Sequence, residues 1–349
     1  MNLVLMIIGA FFITYMLVPQ VAKLAFKIGA IDKPNHRKVH SKIMPRLGGL
    51  AIYLGFTVMV LLTQELTSQI IGLILGSSII VAIGVLDDVK DISPKIKLLG
   101  QILAALVLAL FGVDVDFITH PIFGNTFSLG YFSLPVTIFW VVGITNAVNL
   151  IDGLDGLAGG VSTIAALILA AIGFMHGELV MASLALILAA STIGFLRYNF
   201  FPATIFMGDS GSMFLGFNLA AFSMMGLTKS ITVISVFVPI LIIGIPIFDT
   251  LFAIVRRFIN NQPIFKADKE HLHHCLLNKG LSHKQTVLTI YGINIFLGVV
   301  GILLSKMTTN QGMLILAFVS LFILWGAQKI GVMGKRKTTE QLREKVAEK

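Results

Sequence analysis

The chain has 349 residues, of which 56% are hydrophobic and 12% charged, too little polar surface to cover a water-soluble globule. Its formal net charge of +9 would suit a nucleic-acid binder, but in so apolar a chain the basic residues are better explained by the loops on one side of a membrane. A lone cysteine, Cys275, excludes an intramolecular disulfide.

Taken in chain order, the apolar windows predict an all-α, polytopic membrane protein of about eleven transmembrane helices. They fall near residues 2–22, 48–64, 69–86, 98–113, 132–150, 158–175, 179–196, 211–227, 231–254, 286–305 and 312–331. The first window has no basic leader and no small-residue cleavage site, so it is expected to be a retained span. One set of connections is nearly free of cations: "QELTSQ", "VDVDFITHPIFGNTFSLGY", "MHGE", "GLTKS" and "SKMTTNQG". The other carries nearly all the Lys and Arg, from "KIGAIDKPNHRKVHSKIMPRLGG" to the tail "GKRKTTEQLREKVAEK". This bias places the N-terminus outside and the C-terminus in the cytoplasm. A single membrane domain over 1–334 followed by a basic cytoplasmic tail over 335–349 is the expected organisation.

The unusual polar residues collect on the basic side. Asp87, Asp88 and Asp91, in "GVLDDVKD", begin the cytoplasmic loop that follows the third window. Asn146, Asn149, Asp152 and Asp155 recur every three residues in "NAVNLIDGLDGL", where the fifth window ends among glycines. Asp209 stands in "FMGDSGS", and His271, His273 and His274 in "EHLHH". Singly, an intramembrane Asn more often links helices, and a loop Asp more often caps the next helix. Ser93-Pro94 is such a helix start. An Asp at mid-bilayer costs roughly 2.5–3.5 kcal/mol, however, and four loops bringing acids or histidines to one face favour a site.

Carboxylates and amide oxygens suit a hard cation, Mg²⁺ or Mn²⁺. Imidazoles and Arg46, Arg197, Arg256 and Arg257 would neutralise a phosphorylated ligand. Zinc is disfavoured, because the consecutive His273, His274 and Cys275 point in different directions on a helix. His120, His176 and His283 are expected to be loop residues. The residues alone thus reach phosphoryl transfer involving something dissolved in the bilayer, without naming the substrate.

The four ordered motifs resemble the polyprenyl-phosphate N-acetylhexosamine-1-phosphate transferases over nearly the whole membrane region. The resemblance implies a bacterial inner-membrane enzyme with its active site on the cytoplasmic face. Such enzymes use Mg²⁺ to transfer a phospho-sugar from a UDP-amino sugar to a polyprenyl phosphate, releasing UMP. His271-Leu272-His273-His274 looks like the His-x-His-His pattern of the UDP-N-acetylglucosamine branch. The UDP-N-acetylmuramoyl-pentapeptide branch, with three consecutive histidines, is the alternative. The product would be undecaprenyl-diphosphate GlcNAc, initiating a teichoic acid linkage unit, O-antigen or a related glycopolymer.

By resemblance Asp209 is the principal Mg²⁺ ligand and Asn149 a second contact. Gly153, Leu154 and Asp155 match the segment that reads uracil, and Phe206 the aromatic that stacks on it. His271, His273 and His274 would contact diphosphate or sugar. Arg46 and His40 belong to the first basic loop. Asp87 and Asp88 are the residues suspected of deprotonating the lipid phosphate. A phosphomonoester's second pKa is near 6, though, so the nucleophile is largely dianionic at neutral pH, and positioning is the alternative role for both. A homodimer is expected from resemblance only. An ion-coupled transporter is the rival of a different class, but it would place its acids near the midplane.

Overall fold

The computed structural model describes residues 2–33, 43–119, 126–227, 234–263 and 271–332. His40 and the tail over 335–349 lie outside them. Thirteen helices are described: α1 (Leu3–Ile28), α2 (Gly48–Thr63), α3 (Ser68–Lys90), α4 (Pro94–Leu110), α5 (Ser133–Leu150), α6 (Leu157–His176), α7 (Leu179–Asn199), α8 (Gly208–Leu227), α9 (Ile234–Ile242), α10 (Gly244–Ile259), α11 (Leu272–Asn278), α12 (His283–Leu304) and α13 (Thr309–Ile330). Among the described residues, seven helices are long and apolar enough to cross a membrane, which makes this a multi-pass membrane protein. Two minimal antiparallel ribbons accompany the helices: β1 (Ile31–Asp32) with β2 (Met44–Pro45), and β3 (Phe117–Thr119) with β4 (Thr126–Ser128).

Each of the eleven apolar windows holds a helix, with two departures. The window over 231–254 is not one helix but two, α9 and α10, parted at Ile243. Pro246, in the first turn of α10, has no amide hydrogen to return to the Ile242 carbonyl, and its ring crowds that carbonyl; Pro239 lies inside α9, where its carbonyl accepts from Ile243 N at 2.9 Å. The other departure is at α3, which does not stop at residue 86. It runs to Lys90, so Asp87 and Asp88 form its last turn rather than a loop. It ends where Asp91 takes a left-handed conformation (φ 47°) and returns its N–H to the carbonyl of Asp87. Asp tolerates that conformation better than most residues, and Pro94 three positions on could not have continued the helix.

Packing follows the distribution of small residues. Of the seven long apolar helices α6 and α7 are the most enclosed, with 78% and 72% of their apolar windows buried, whereas α13 has 11% and leaves Leu314, Phe318 and Leu321 exposed. α8 runs through the interior, and Phe214, Phe217 and Phe222 on it are fully buried. Its N-terminus is fixed by backbone. Phe206 donates to Pro45 O at 2.8 Å, and Gly48 and Gly49 donate to Phe206 O and Met207 O at 3.0 and 2.8 Å. The entry to α8 is thereby tied to the entry to α2. Buried polar pairs join the helices at several levels: Ser77 with Asn218, Trp140 with Ser223, and Gln101 with Asn146. Each satisfies groups that would be expensive to leave unpaired in hydrocarbon.

Candidate active site

The C-terminal ends of α3 and α5 meet the N-terminal ends of α4 and α8, and the acids gather there. Asp88 is buried and accepts from two backbone amides in the first turn of α8, Asp209 N at 2.9 Å and Ser210 N at 3.1 Å. Those are donors that a helix start leaves unsatisfied. Arg46 Nε approaches the same carboxylate at 3.3 Å, while Nη1 reaches Asp91 at 3.5 Å and Nη2 reaches Asp87 at 3.9 Å. Asp88 is therefore held by three donors and joins the end of α3 to the start of α8.

Asp87 and Asp209 turn towards each other. Lys97, from the first turn of α4, places Nζ 2.7 Å from Asp87 Oδ2 and 2.5 Å from Asp209 Oδ2. Beside them Asn149 donates to the Ser212 hydroxyl at 2.8 Å, which leaves its amide oxygen as the atom to offer a cation. Asn146 is used differently. Its amide is exchanged with Gln101 and donates to Val142 O, so it links α5 to α4.

The segment from Asp152 to Gly156 joins α5 to α6. Gly156 N–H donates to Asn199 at 3.0 Å, and Tyr291 OH donates to Gly156 O at 2.5 Å. Asp155 Oδ2 accepts from Ala203 N at 3.0 Å, and the Asp155 carbonyl lies 3.4 Å from His283 Nε2. His283, read from sequence as a plain loop residue, is the first residue of α12 and stacks on Phe201 with ring centres 4.4 Å apart. Leu154 is buried in the core, and Phe206 is half-buried with its backbone bridged to Arg46. Asp152 keeps an exposed edge, yet the burial of its carboxyl, followed by the charges of Asp209, Asp88 and Asp155, pushes its pKa up to about 7.

The histidines approach from α11. His271 and His273 are buried with parallel rings 6.1 Å apart, and His274 stands 4.2 Å from His273. The His273 ring lies against Gly153, where an added Cβ would fall 2.5 Å from Nε2. That nitrogen is buried and meets no hydrogen-bond partner among the described residues. Burial first, and the nearby His274 next, hold the His273 pKa down at about 4, so the ring is neutral at physiological pH. Of the arginines, Arg46 reaches the acids. Arg256 donates from one nitrogen to Val332 O at 2.5 Å, at the end of α13, and Arg197 is exposed.

Two members of this site escaped sequence reasoning. Lys97 reads as one more loop cation, although a lysine in the first turn of a helix opposes the helix dipole and asks for a counter-charge. Asp249 sits inside an apolar window, where a carboxylate is by default a functional residue. It is buried, and its oxygens bond His271 Nδ1 and Leu272 N at 2.9 and 2.8 Å.

Could these residues hold a divalent cation? Among the described residues, no three His, Cys, Asp or Glu side chains form a ready metal cage. Mg²⁺ does not require one, since it takes one or two carboxylates and fills its shell with water and phosphate oxygens. Two carboxylate oxygens already converge on the Lys97 ammonium, a cation bound between hard donors. The donor set fits Mg²⁺ or Mn²⁺.

Fold and site together define a class, an integral-membrane transferase with its acids gathered where helix ends meet. The model of the family described as glycosyl transferase family 4 matches residues 70–227, which include Asp87, Asp88, the Asn146–Asp155 segment and Asp209. The chain is 44% identical over 319 residues to the probable undecaprenyl-phosphate N-acetylglucosaminyl 1-phosphate transferase of Bacillus subtilis (strain 168), covering 91% of this chain and 89% of that one. It is 38% identical to the decaprenyl-phosphate N-acetylglucosaminephosphotransferase of Mycolicibacterium smegmatis, over 83% and 79%. With the undecaprenyl-phosphate alpha-N-acetylglucosaminyl 1-phosphate transferase of Escherichia coli (strain K12) it shares 29% identity, over 92% and 89%. The chain belongs to glycosyl transferase family 4.

Proposed function

We propose that this protein transfers GlcNAc-1-phosphate from UDP-GlcNAc to undecaprenyl phosphate, forming undecaprenyl-diphosphate GlcNAc and UMP. The observation that carries this is the convergence of Asp87 and Asp209 on a single cation position beside Asn149, next to the segment from Asp152 to Gly156. The names of the relatives above point to the same donor and acceptor. The new bond joins a lipid phosphate oxygen to the sugar-bearing phosphorus, and the bond that breaks links that phosphorus to the oxygen leaving with UMP. Such a reaction asks the protein mainly for positioning and charge neutralisation.

Asp209, Asp87 and the amide oxygen of Asn149 would hold Mg²⁺, which supplies charge neutralisation for the diphosphate. The chain's own residues do the rest. Asp88, fixed by Arg46, sets the first turn of α8 and so orients Asp209. Lys97 adds positive charge beside the phosphates, and His271, His273 and His274 face the diphosphate or sugar. Gly153 and its neighbours form the uracil subsite, with Phe206 beside it.

The site faces the cytoplasm of a bacterial inner membrane, with eleven crossings and the N-terminus outside. That topology follows from the distribution of Lys and Arg. A homodimer is proposed on resemblance alone. The test is UMP release by purified protein given UDP-GlcNAc, undecaprenyl phosphate and Mg²⁺. Asp209→Asn should reduce it about 100-fold or more, and UMP release unaffected by that change would overturn the assignment.

A further inference from the structure

A buried acid outside the four motifs controls the histidine segment. Asp249 projects from α10 and is 4% exposed. Both of its oxygens serve α11: Oδ2 lies 2.9 Å from His271 Nδ1, and Oδ1 accepts the Leu272 N–H at 2.8 Å. His271 is the N-cap residue of α11 and Leu272 its first helical residue. One side chain thus fixes a ring and the start of the short helix that carries His273 and His274.

The chemistry of the contact assigns the proton. A carboxylate can only accept, so the ring nitrogen facing it is Nδ1–H. Nε2 is then the atom left to meet a ligand. Capping alone would not demand a charge, because Ser or Asn caps a helix as well as Asp does. A buried carboxylate is also costly unless something balances it. A histidine that takes up a proton at Nε2 to donate to a phosphate oxygen is such a balance, since the pair is then neutral overall.

We propose that Asp249 is a positioning residue for phosphate transfer. It locks His271 with Nδ1–H towards α10 and Nε2 towards the anionic ligand, and it offsets the charge the ring carries when it donates. The proposal rests on the transferase assignment above, so one of its tests does not depend on turnover.

Asp249→Asn keeps an oxygen for Leu272 N–H but loses the charge and sets an amide donor against Nδ1–H. It should lower kcat about 10–100-fold while KM for UDP-GlcNAc changes less than about threefold. In a His271→Ala background the same substitution should cost less than about twofold, because the residue acts through that ring. Unchanged kcat, or an equal loss in both backgrounds, would overturn the proposal. In ¹⁵N-histidine-labelled wild-type protein at neutral pH the His271 Nδ1 signal should be that of a protonated nitrogen. A bare Nδ1 refutes the assignment even if Asp249→Asn fails to fold. Wild-type protein that releases no UMP sinks the transferase assignment instead, and the Nδ1 signal still decides the geometry.

Discussion

Gly84 offers a severe test of the site, because its effect reaches the chemistry without touching a polar group. It lies in α3 one turn before Asp88, against the first turn of α8. A Cβ at Gly84 would stand 2.5 Å from Ser210 N and 2.9 Å from Asp209 C, and nearer still to Ser210 Cα. Ordinary contact begins at 3.4 Å, so clearing Ser210 Cα requires α8 to retreat by about 1.1 Å, and backbone cannot rotate away as a side chain can. Overpacking of this kind costs about 1–3 kcal/mol. Misplacement of a reacting group by about 1 Å costs on the order of 100-fold in rate. Gly84→Ala is therefore expected to lower kcat for UMP release about 100-fold in protein that still purifies as a folded monodisperse species. Gly143→Ala, on α5 with no atom within 4 Å of the added carbon, is the matched control and should retain wild-type turnover. If Gly84→Ala stays within about twofold of wild type, the first turn of α8 is not a fixed part of the site.

Lys97→Met removes the ammonium between Asp87 and Asp209 and should cost about 100-fold in UMP release; full activity would mean that the lysine only occupies the cation position in the resting protein. Asp88→Asn can accept one α8 amide but not two, so turnover should fall and stay low from pH 6 to pH 9. Recovery at high pH would restore the role of base to Asp88. His273, held at about 4 by burial and then by His274, binds fewer protons when folded than when unfolded at pH values from its ordinary 6.5 down to 4. Its contribution to stability is lost as pH falls through that window, so His273→Gln should melt closer to its neutral-pH temperature at pH 4.5 than wild type does. Asp152 runs the other way. Pushed up to about 7 by burial and by neighbouring carboxylates, it keeps a proton that the unfolded chain releases near pH 4, and stability falls as pH rises towards 7. Asp152→Asn should raise the melting temperature at pH 8 and leave it unchanged at pH 4.

The membrane helices were legible because hydropathy finds them: each of the eleven apolar windows holds helix, one of them broken at Ile243 where Pro246 cannot continue the ladder, while the short α11 lies in no window and was not foreseen. The four motifs were legible because acids that end apolar runs are costly and therefore conspicuous. Their division of labour was not. Asp87 and Asp88 are adjacent in sequence and look alike, yet one faces Lys97 and the other caps α8, a difference set by how α3 packs on α8. Asn146 and Asn149 share a helix face, yet Gln101 takes the first and Ser212 lies beside the second.

Lys97 and Asp249 were missed for a shared reason. A hydropathy window averages a single charge away, so the procedure that finds a span conceals the carboxylate within it. A loop count of lysines likewise treats every cation as a marker of sidedness. The physical constraint works on single groups rather than averages: in a chain with 12% charged residues, a charge buried among helices needs an opposite charge or a set of hydrogen bonds. Asp249 inside an apolar window thus demands a partner; Arg256 and Arg257 on its own helix and the histidines of "EHLHH" are the bases that follow it in the chain, and the fold pairs it with His271. Lys97, against the dipole of α4, demands an acid, and "GVLDDVKD" stands just before it. Pairing each isolated charge with a group able to neutralise it narrows the choice of partner, and the packing of the helices makes that choice.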